Sequence, residues 1–257
     1  MSKEHLKKIA AETVSMVENG HYKTASGKVI PLPLEDSTLY RPDWSGKLDF
    51  RGEMNVSVTN ESTMMAAQRL AEENPCILNF ASASHPGGGF LRGAVAQEEA
   101  LARSSNLYHH IKEFPEFYAQ SKNVPGIYEE YMIYSPKVTF FRDDSGDLLE
   151  EPYTVACVTA AAPNMNIVKT LEGDQEETAY EEFYKRIKKV LEVMHHEGHK
   201  TIVLGAWGCG AFGNDPYIVS DFFADVLEAG PAFDKVVFAI YDKPESATYQ
   251  AFDLTFS

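Results

Sequence analysis

Cysteine is scarce in this chain: Cys76, Cys157 and Cys209 are the three present in 257 residues, and none forms a Cys-x-x-Cys pair. Thiols so far apart build neither a disulfide framework nor a structural zinc site. They are expected to be reduced and packed as small apolar side chains, which suits a cytoplasmic protein. Long hydrophobic runs are missing too. No apolar stretch approaches the roughly 18 residues needed to span a bilayer. The opening segment MSKEHLKKIAAETVSMVENG mixes charges along its length and has no signal-peptide core. No membrane role is expected.

Basic charge is short as well. Lys and Arg number 23 against 38 Asp and Glu, leaving a formal net charge of −15. Duplex phosphates are held through counterion release at a basic surface, so direct DNA binding is disfavoured. An anionic ligand remains open, because main-chain N–H groups of a glycine-rich loop or helix start hold phosphates without Lys or Arg. Metal-ligand spacing is absent. His195, His196 and His199 in HHEGH stand beside Gly198 at the end of a predicted helix, where cations suit the dipole. No metal and no cofactor are expected.

What is present alternates between strands and helices. Leu6, Ile9, Ala10, Thr13, Val14 and Val17 line one face of a first helix that Gly20 ends. HYKTASGKVIPLP reads as a hairpin about Ser26-Gly27, and the proline-bearing residues 31–50 as an ordered arm. NVSVTN reads as a strand, with Asn60 or Ser62 capping the next helix. CILNFAS is a strand, AQEEALARSSNLYHHIKEF one helix with His109-His110 on its surface, and residues 131–164 two or three strands around Asp-Ser-Gly-Asp. A strong helix follows, with Tyr180, Phe183, Tyr184, Ile187, Val190, Leu191 and Met194 buried. TIVLGAW is a strand, and Asp215, Pro216 and Gly230 delimit a further helix. KVVFAIYD closes the fold as a strand. The class is α/β, a sheet covered by helices on both faces, with ligands expected beyond the strand C-termini. No repeat or low-complexity linker divides the chain, so one domain is expected, with residues 1–50 an accessory arm and 51–257 the core.

Two loops occupy the expected ligand position. The second, GAWGCGAFGNDP, contains Gly208-x-Gly210-x-x-Gly213. A dinucleotide fingerprint needs an acid at the tip of the following strand, whereas Asp234 precedes KVVFAIYD and no further βαβ unit remains. The readings left open are a phosphate cradle of another fold or a turn of small residues. The first loop is more specific. Gly87, Gly88 and Gly89 permit close approach of a ligand to the main chain, and a seven-residue spacer leads to Gln97-Glu98-Glu99 at a helix start. Neighbouring helical side chains diverge by about 100°, which divides labour between the two acids. Acids in a first turn also simply complement the helix dipole. Ser104-Ser105 lacks the Gly-x-Ser-x-Gly setting of a serine hydrolase.

NFASASHPGGGFLRGAVAQEEALARSSNLY closely resembles the signature of the microbial-type poly(ADP-ribose) glycohydrolase family. VTAAAPN and LGAWGCGAFGNDP resemble its later segments, in the same order, so the likeness covers most of the chain. The resemblance implies a macrodomain, a mixed sheet sandwiched between helices, with an N-terminal helical and loop accessory region. It implies hydrolysis of the ribose–ribose O-glycosidic bonds of poly(ADP-ribose), with ADP-ribose as product. Glu99 would be the catalytic acid and base, and Glu98 would hold ribose hydroxyls. Gly87, Gly88 and Gly89, with Gln97 beside them, would meet the distal ribose and diphosphate. Gly208, Cys209, Gly210, Ala211 and Phe212 would form a second diphosphate loop. Ser82 stands nearest the place where many macrodomains put an Asn. Like charge from Glu98 and the diphosphate would favour the protonated form of Glu99. The rival expectations are hydrolysis of ADP-ribosylated proteins or ADP-ribose esters, and a reader that binds ADP-ribose without turnover.

Overall fold

The structure is a computed structural model describing residues 1–48, 53–229 and 233–257. The expected helix stop at Gly230 and the arm–core boundary at residues 50–51 lie outside the described residues. Helix α1, Lys3–Glu18, is capped by Ser2 and buries Leu6, Ile9, Ala10, Thr13 and Val17. Strands β1, His21–Lys23, and β2, Val29–Pro31, pair as the expected antiparallel hairpin. The arm then holds a strand that sequence patterning does not reveal. β3, Thr38–Tyr40, is three residues long and lies between prolines, too short for a period-2 signal.

Beyond the arm come β4, Asn55–Thr59, α2, Thr63–Arg69, and β5, Cys76–Phe80. Ser62 caps α2 by accepting from the Met65 N–H at 3.1 Å. The single helix expected over residues 96–114 is two: α3, Gln97–Ser104, and α4, Leu107–Ile111, followed by α5, Pro115–Asn123. Ser105 is extended between them and bridges Phe140. Its hydroxyl donates to the Leu101 carbonyl, and Asn106 accepts from the Thr139 N–H. Side chains that bond nearby backbone compete with helix continuation. His109 and His110, expected on the surface, are both buried.

The long hairpin of β6, Met132–Arg142, and β7, Leu148–Ala160, turns at Asp143–Asp147 and leads through α6, Met165–Val168, to α7, Glu176–His196. β8, Thr201–Leu204, α8, Pro216–Glu228, and β9, Lys235–Ala239, follow. The chain ends in a helix and not, as expected, in β9. This is α9, Ala247–Phe256, whose Thr, Tyr and Phe residues have modest helix propensity.

The sheet order is β3-β6-β7-β5-β8-β9-β4. Strands β7, β5, β8, β9 and β4 run parallel, while β6 and β3 are antiparallel to their neighbours. One face packs on α7, α8 and α9 through Phe183, Ile187, Leu191, Phe223 and Phe252. The other meets α2, α3 and α5 through Met64, Ala67, Leu101 and Phe117. This is the mixed sheet between helices that was expected. It directs the ends of β5, β7, β8 and β9 toward one cleft.

Candidate active site

That cleft has a volume of about 540 Å³, in the range of small-molecule sites. Of the residues singled out in the sequence, Ser82, Gln97, Glu98, Glu99, Gly208, Gly210, Ala211 and Phe212 line it. Gly87, Gly88, Gly89 and Cys209 are not among the lining residues. Asp144, Tyr241, Asp242 and Thr248 also border the cleft and carry no motif that would have revealed them.

The acids sit at the start of α3, and the chain is built around them. Glu98 is buried, accepting from the Ser82 N–H at 2.8 Å and from the Asn79 amide at 3.4 Å. Burial pushes its carboxyl up to about 8, the main-chain donors opposing and the charge of Glu99 assisting. Glu98 is the acid withdrawn from water. Glu99 turns the other way. Its two oxygens accept from the Gly89 N–H at 2.8 Å and the Ala96 N–H at 3.0 Å. The second bond is one half of a capping box, and Ala96 has no side-chain oxygen to supply the other.

Gln97 anchors the helix. Its side-chain oxygen accepts from the Phe80 N–H at 2.9 Å, while its NH₂ donates to the Leu78 carbonyl at 2.8 Å and the Thr63 hydroxyl at 3.2 Å. The side chain ties α3 to the edge of β5 much as a strand residue would. Asn79, absent from the sequence reading, donates to both Glu98 and Thr159. Ser82 holds its own loop, its hydroxyl accepting from the Ser84 and His85 N–H groups.

The second loop is stitched to the segment after β7. Phe212 accepts from the Met165 N–H at 2.8 Å, Asn166 donates to the Ala211 carbonyl, and Asn214 donates to Pro163 and Gly208. Gly208 has φ +77°, and a Cβ there would meet Asn214 and Ala162 below 3 Å. Gly210 has open space where a side chain would project. Among the described residues, the N–H groups of Gly210, Ala211 and Phe212 find no acceptor in the protein. Such a run of free amides near the N-terminus of α8 suits an anion. Cys209 contributes no chemistry of its own, since burial pushes its thiol up to about 12. His199, from the HHEGH run, bonds Tyr134 and the Asn74 carbonyl instead.

A profile described as the microbial-type PARG catalytic domain matches residues 10–143. The chain belongs to the microbial-type poly(ADP-ribose) glycohydrolase family. The structure is similar to the Thermomonospora curvata poly(ADP-ribose) glycohydrolase, with a TM-score of 0.91 and 43% identity over 98% of this chain and 100% of that one. The same enzyme bound to the inhibitor ADP-HPD gives a TM-score of 0.88 at 42% identity, with the same coverage. The Deinococcus radiodurans enzyme in complex with ADP-ribose gives 0.77 at 36%, covering 85% of this chain and 93% of that one. No curated protein sequence matches the chain. The fold of this poly(ADP-ribose) glycohydrolase family member therefore extends well past the profile, through the second loop and α9.

Proposed function

We propose that this protein hydrolyses the ribose–ribose O-glycosidic bonds of poly(ADP-ribose) and releases ADP-ribose. The observation that carries the reading is the pair of unlike carboxyls at one cleft, Glu98 buried and Glu99 held by two main-chain N–H groups. Family membership and the ADP-ribose complex of the Deinococcus radiodurans relative support it. A reader of ADP-ribose needs no second acid behind the first.

Breaking such a bond requires a proton on the departing oxygen while positive charge builds at the anomeric carbon. Glu99 delivers that proton and afterwards, as a carboxylate, draws one from the attacking water. Glu98, neutral near pH 7, holds the ribose hydroxyls. The free amides of residues 210–212 take the diphosphate, with Phe212 against the ribose. Reduced thiols at all three cysteines fit a cytoplasmic setting. Among the described residues, no helix is long and apolar enough to cross a membrane.

Incubation with labelled poly(ADP-ribose), with product size resolved over time, tests the reading. Accumulation of ADP-ribose supports it. Binding without cleavage would leave a reader, and cleavage confined to ADP-ribosylated protein would reassign the substrate.

A further inference from the structure

The cleft presents an electrostatic problem. Four carboxyl side chains border it, from Glu98, Glu99, Asp144 and Asp242, and among the described residues no Lys or Arg does. The whole chain adds a formal net charge of −15. A diphosphate entering such a site must draw positive potential from main-chain amides and from charges behind the wall.

Buried Arg103, bonded to the Ala94 carbonyl, acts on Glu99 through space, and a further buried cation stands behind the opposite wall, next to Ala162. Arg186, in the middle of α7, has no exposed surface. It donates from Nη1 to the Ala161 carbonyl at 2.8 Å and from Nη2 to the Tyr128 carbonyl at 3.2 Å. Burial lowers its pKa to about 10, so it stays charged at neutral pH, while Glu130 and Glu182 act on it through space. Withdrawing a guanidinium from water onto two carbonyls is unfavourable by itself. The fold accepts that cost beside the site.

Both carbonyls belong to segments that shape the site. In a trans peptide the C=O and the next N–H point in opposite directions, and the described peptides contain no cis bond. By holding the Ala161 carbonyl, Arg186 turns the Ala162 N–H away from itself, on the side where Ala162 borders the cleft. Among the described residues that N–H has no acceptor, although Ala162 is only 1% exposed. Buried main-chain donors are rarely left unpaired. Tyr128 has φ +67°, an uncommon conformation for a bulky residue. Its ring centroid lies 6.5 Å from that of Phe212 in the second loop.

We propose that Arg186 is a positioning residue for anion binding: it presents the Ala162 N–H to a phosphate oxygen of the ligand and supplies positive field that the acid-lined cleft lacks. The inference rests on the reading of this cleft as an ADP-ribose site.

The test compares ADP-ribose, which carries the diphosphate, with adenosine, which does not, on wild type, Arg186→Gln and Arg186→Lys. Arg186→Gln should weaken ADP-ribose by about tenfold or more, the loss expected for a charge-assisted contact, and leave adenosine affinity nearly unchanged. Arg186→Lys restores the charge and should recover most of the ADP-ribose affinity. Wild-type affinity in Arg186→Gln, or equal losses for both ligands, would overturn this inference alone. Absence of ADP-ribose binding by wild type would overturn the functional reading and this inference with it. Should Arg186→Gln fail to fold, wild-type protein decides the matter by NMR. The Ala162 amide resonance should move on titration with ADP-ribose and stay in place with adenosine, and an unmoved resonance overturns the proposal.

Discussion

A Cβ added to Gly88 would overlap a carboxylate oxygen of Glu99 and stand 3.0 Å from one of Glu98. The glycine run therefore makes room for the protein's own acids. Gly88 also has φ +59°, a left-handed conformation, which costs an L side chain about 1–2 kcal/mol. Helical geometry sends the two glutamates in different directions, and the loop folds back so that one small residue touches both.

Gly88→Ala and Gly210→Val should consequently fail in different ways. Gly88→Ala should lose about 1–2 kcal/mol of stability and displace the carboxylates, lowering activity. Gly210→Val enters open space and should melt like wild type, yet bind ADP-ribose more weakly. Melting curves and calorimetry on both variants separate the cases. Normal ADP-ribose affinity in a folded Gly210→Val protein would remove the second loop from the ligand site.

Glu99→Gln should reduce polymer turnover by about 10²–10⁴-fold, the usual worth of general acid–base assistance, while ADP-ribose affinity stays near wild type. An amide has one acceptor oxygen where Glu99 now serves two N–H donors, Gly89 and Ala96. The exposed Ala96 N–H can turn to water, so a stability loss of about 0.5–1.5 kcal/mol should accompany the kinetic defect. Wild-type turnover by this variant would mean that the acid lies elsewhere.

Glu98 links stability to pH. Its folded pKa, about 8, lies above the ordinary carboxyl value of 4.5, so the folded state holds a proton that the unfolded state has released. The stabilisation is complete below the ordinary value and is lost as pH rises through about 8. Glu98→Gln removes this titration. Wild type should lose on the order of a few kcal/mol between pH 5 and 9 from this group, and the variant correspondingly less. Parallel stability profiles for the two proteins would contradict the buried, neutral carboxyl.

Gln97→Leu should lower stability by about 2–4 kcal/mol, because it leaves the Phe80 N–H and the Leu78 carbonyl without their side-chain partner. Turnover should fall with it, since the same side chain fixes the start of α3. Denaturant titration and polymer digestion measure both effects. A variant as stable and as active as wild type would show that Gln97 does not anchor the helix.

Local features of this protein are legible in its order of residues. The apolar face of α1, most of that of α7 (Tyr180 and Tyr184 are only partly buried), the Asp215 cap, the glycine run and the adjacent Glu98-Glu99 are set by near neighbours, whose spacing leaves a readable pattern. The choice of Ser62 over Asn60 as the α2 cap is not. What these parts meet follows from long-range packing. The order β7-β5-β8 brings Ala162 and the loop of Gly208 to the same cleft as Glu98, and no local signal ranks strand order. The β6–β7 turn carries Asp144 to Ser62, 82 residues away in the chain. Burial, with hydrogen bonds from Ser82 and Asn79, made Glu98 a withdrawn carboxyl with a raised pKa. Arg186 reads in sequence as one more polar residue on an amphipathic helix. Only packing shows it fully buried and bonded to the Ala161 carbonyl, because burial of a charge depends on every element that surrounds it.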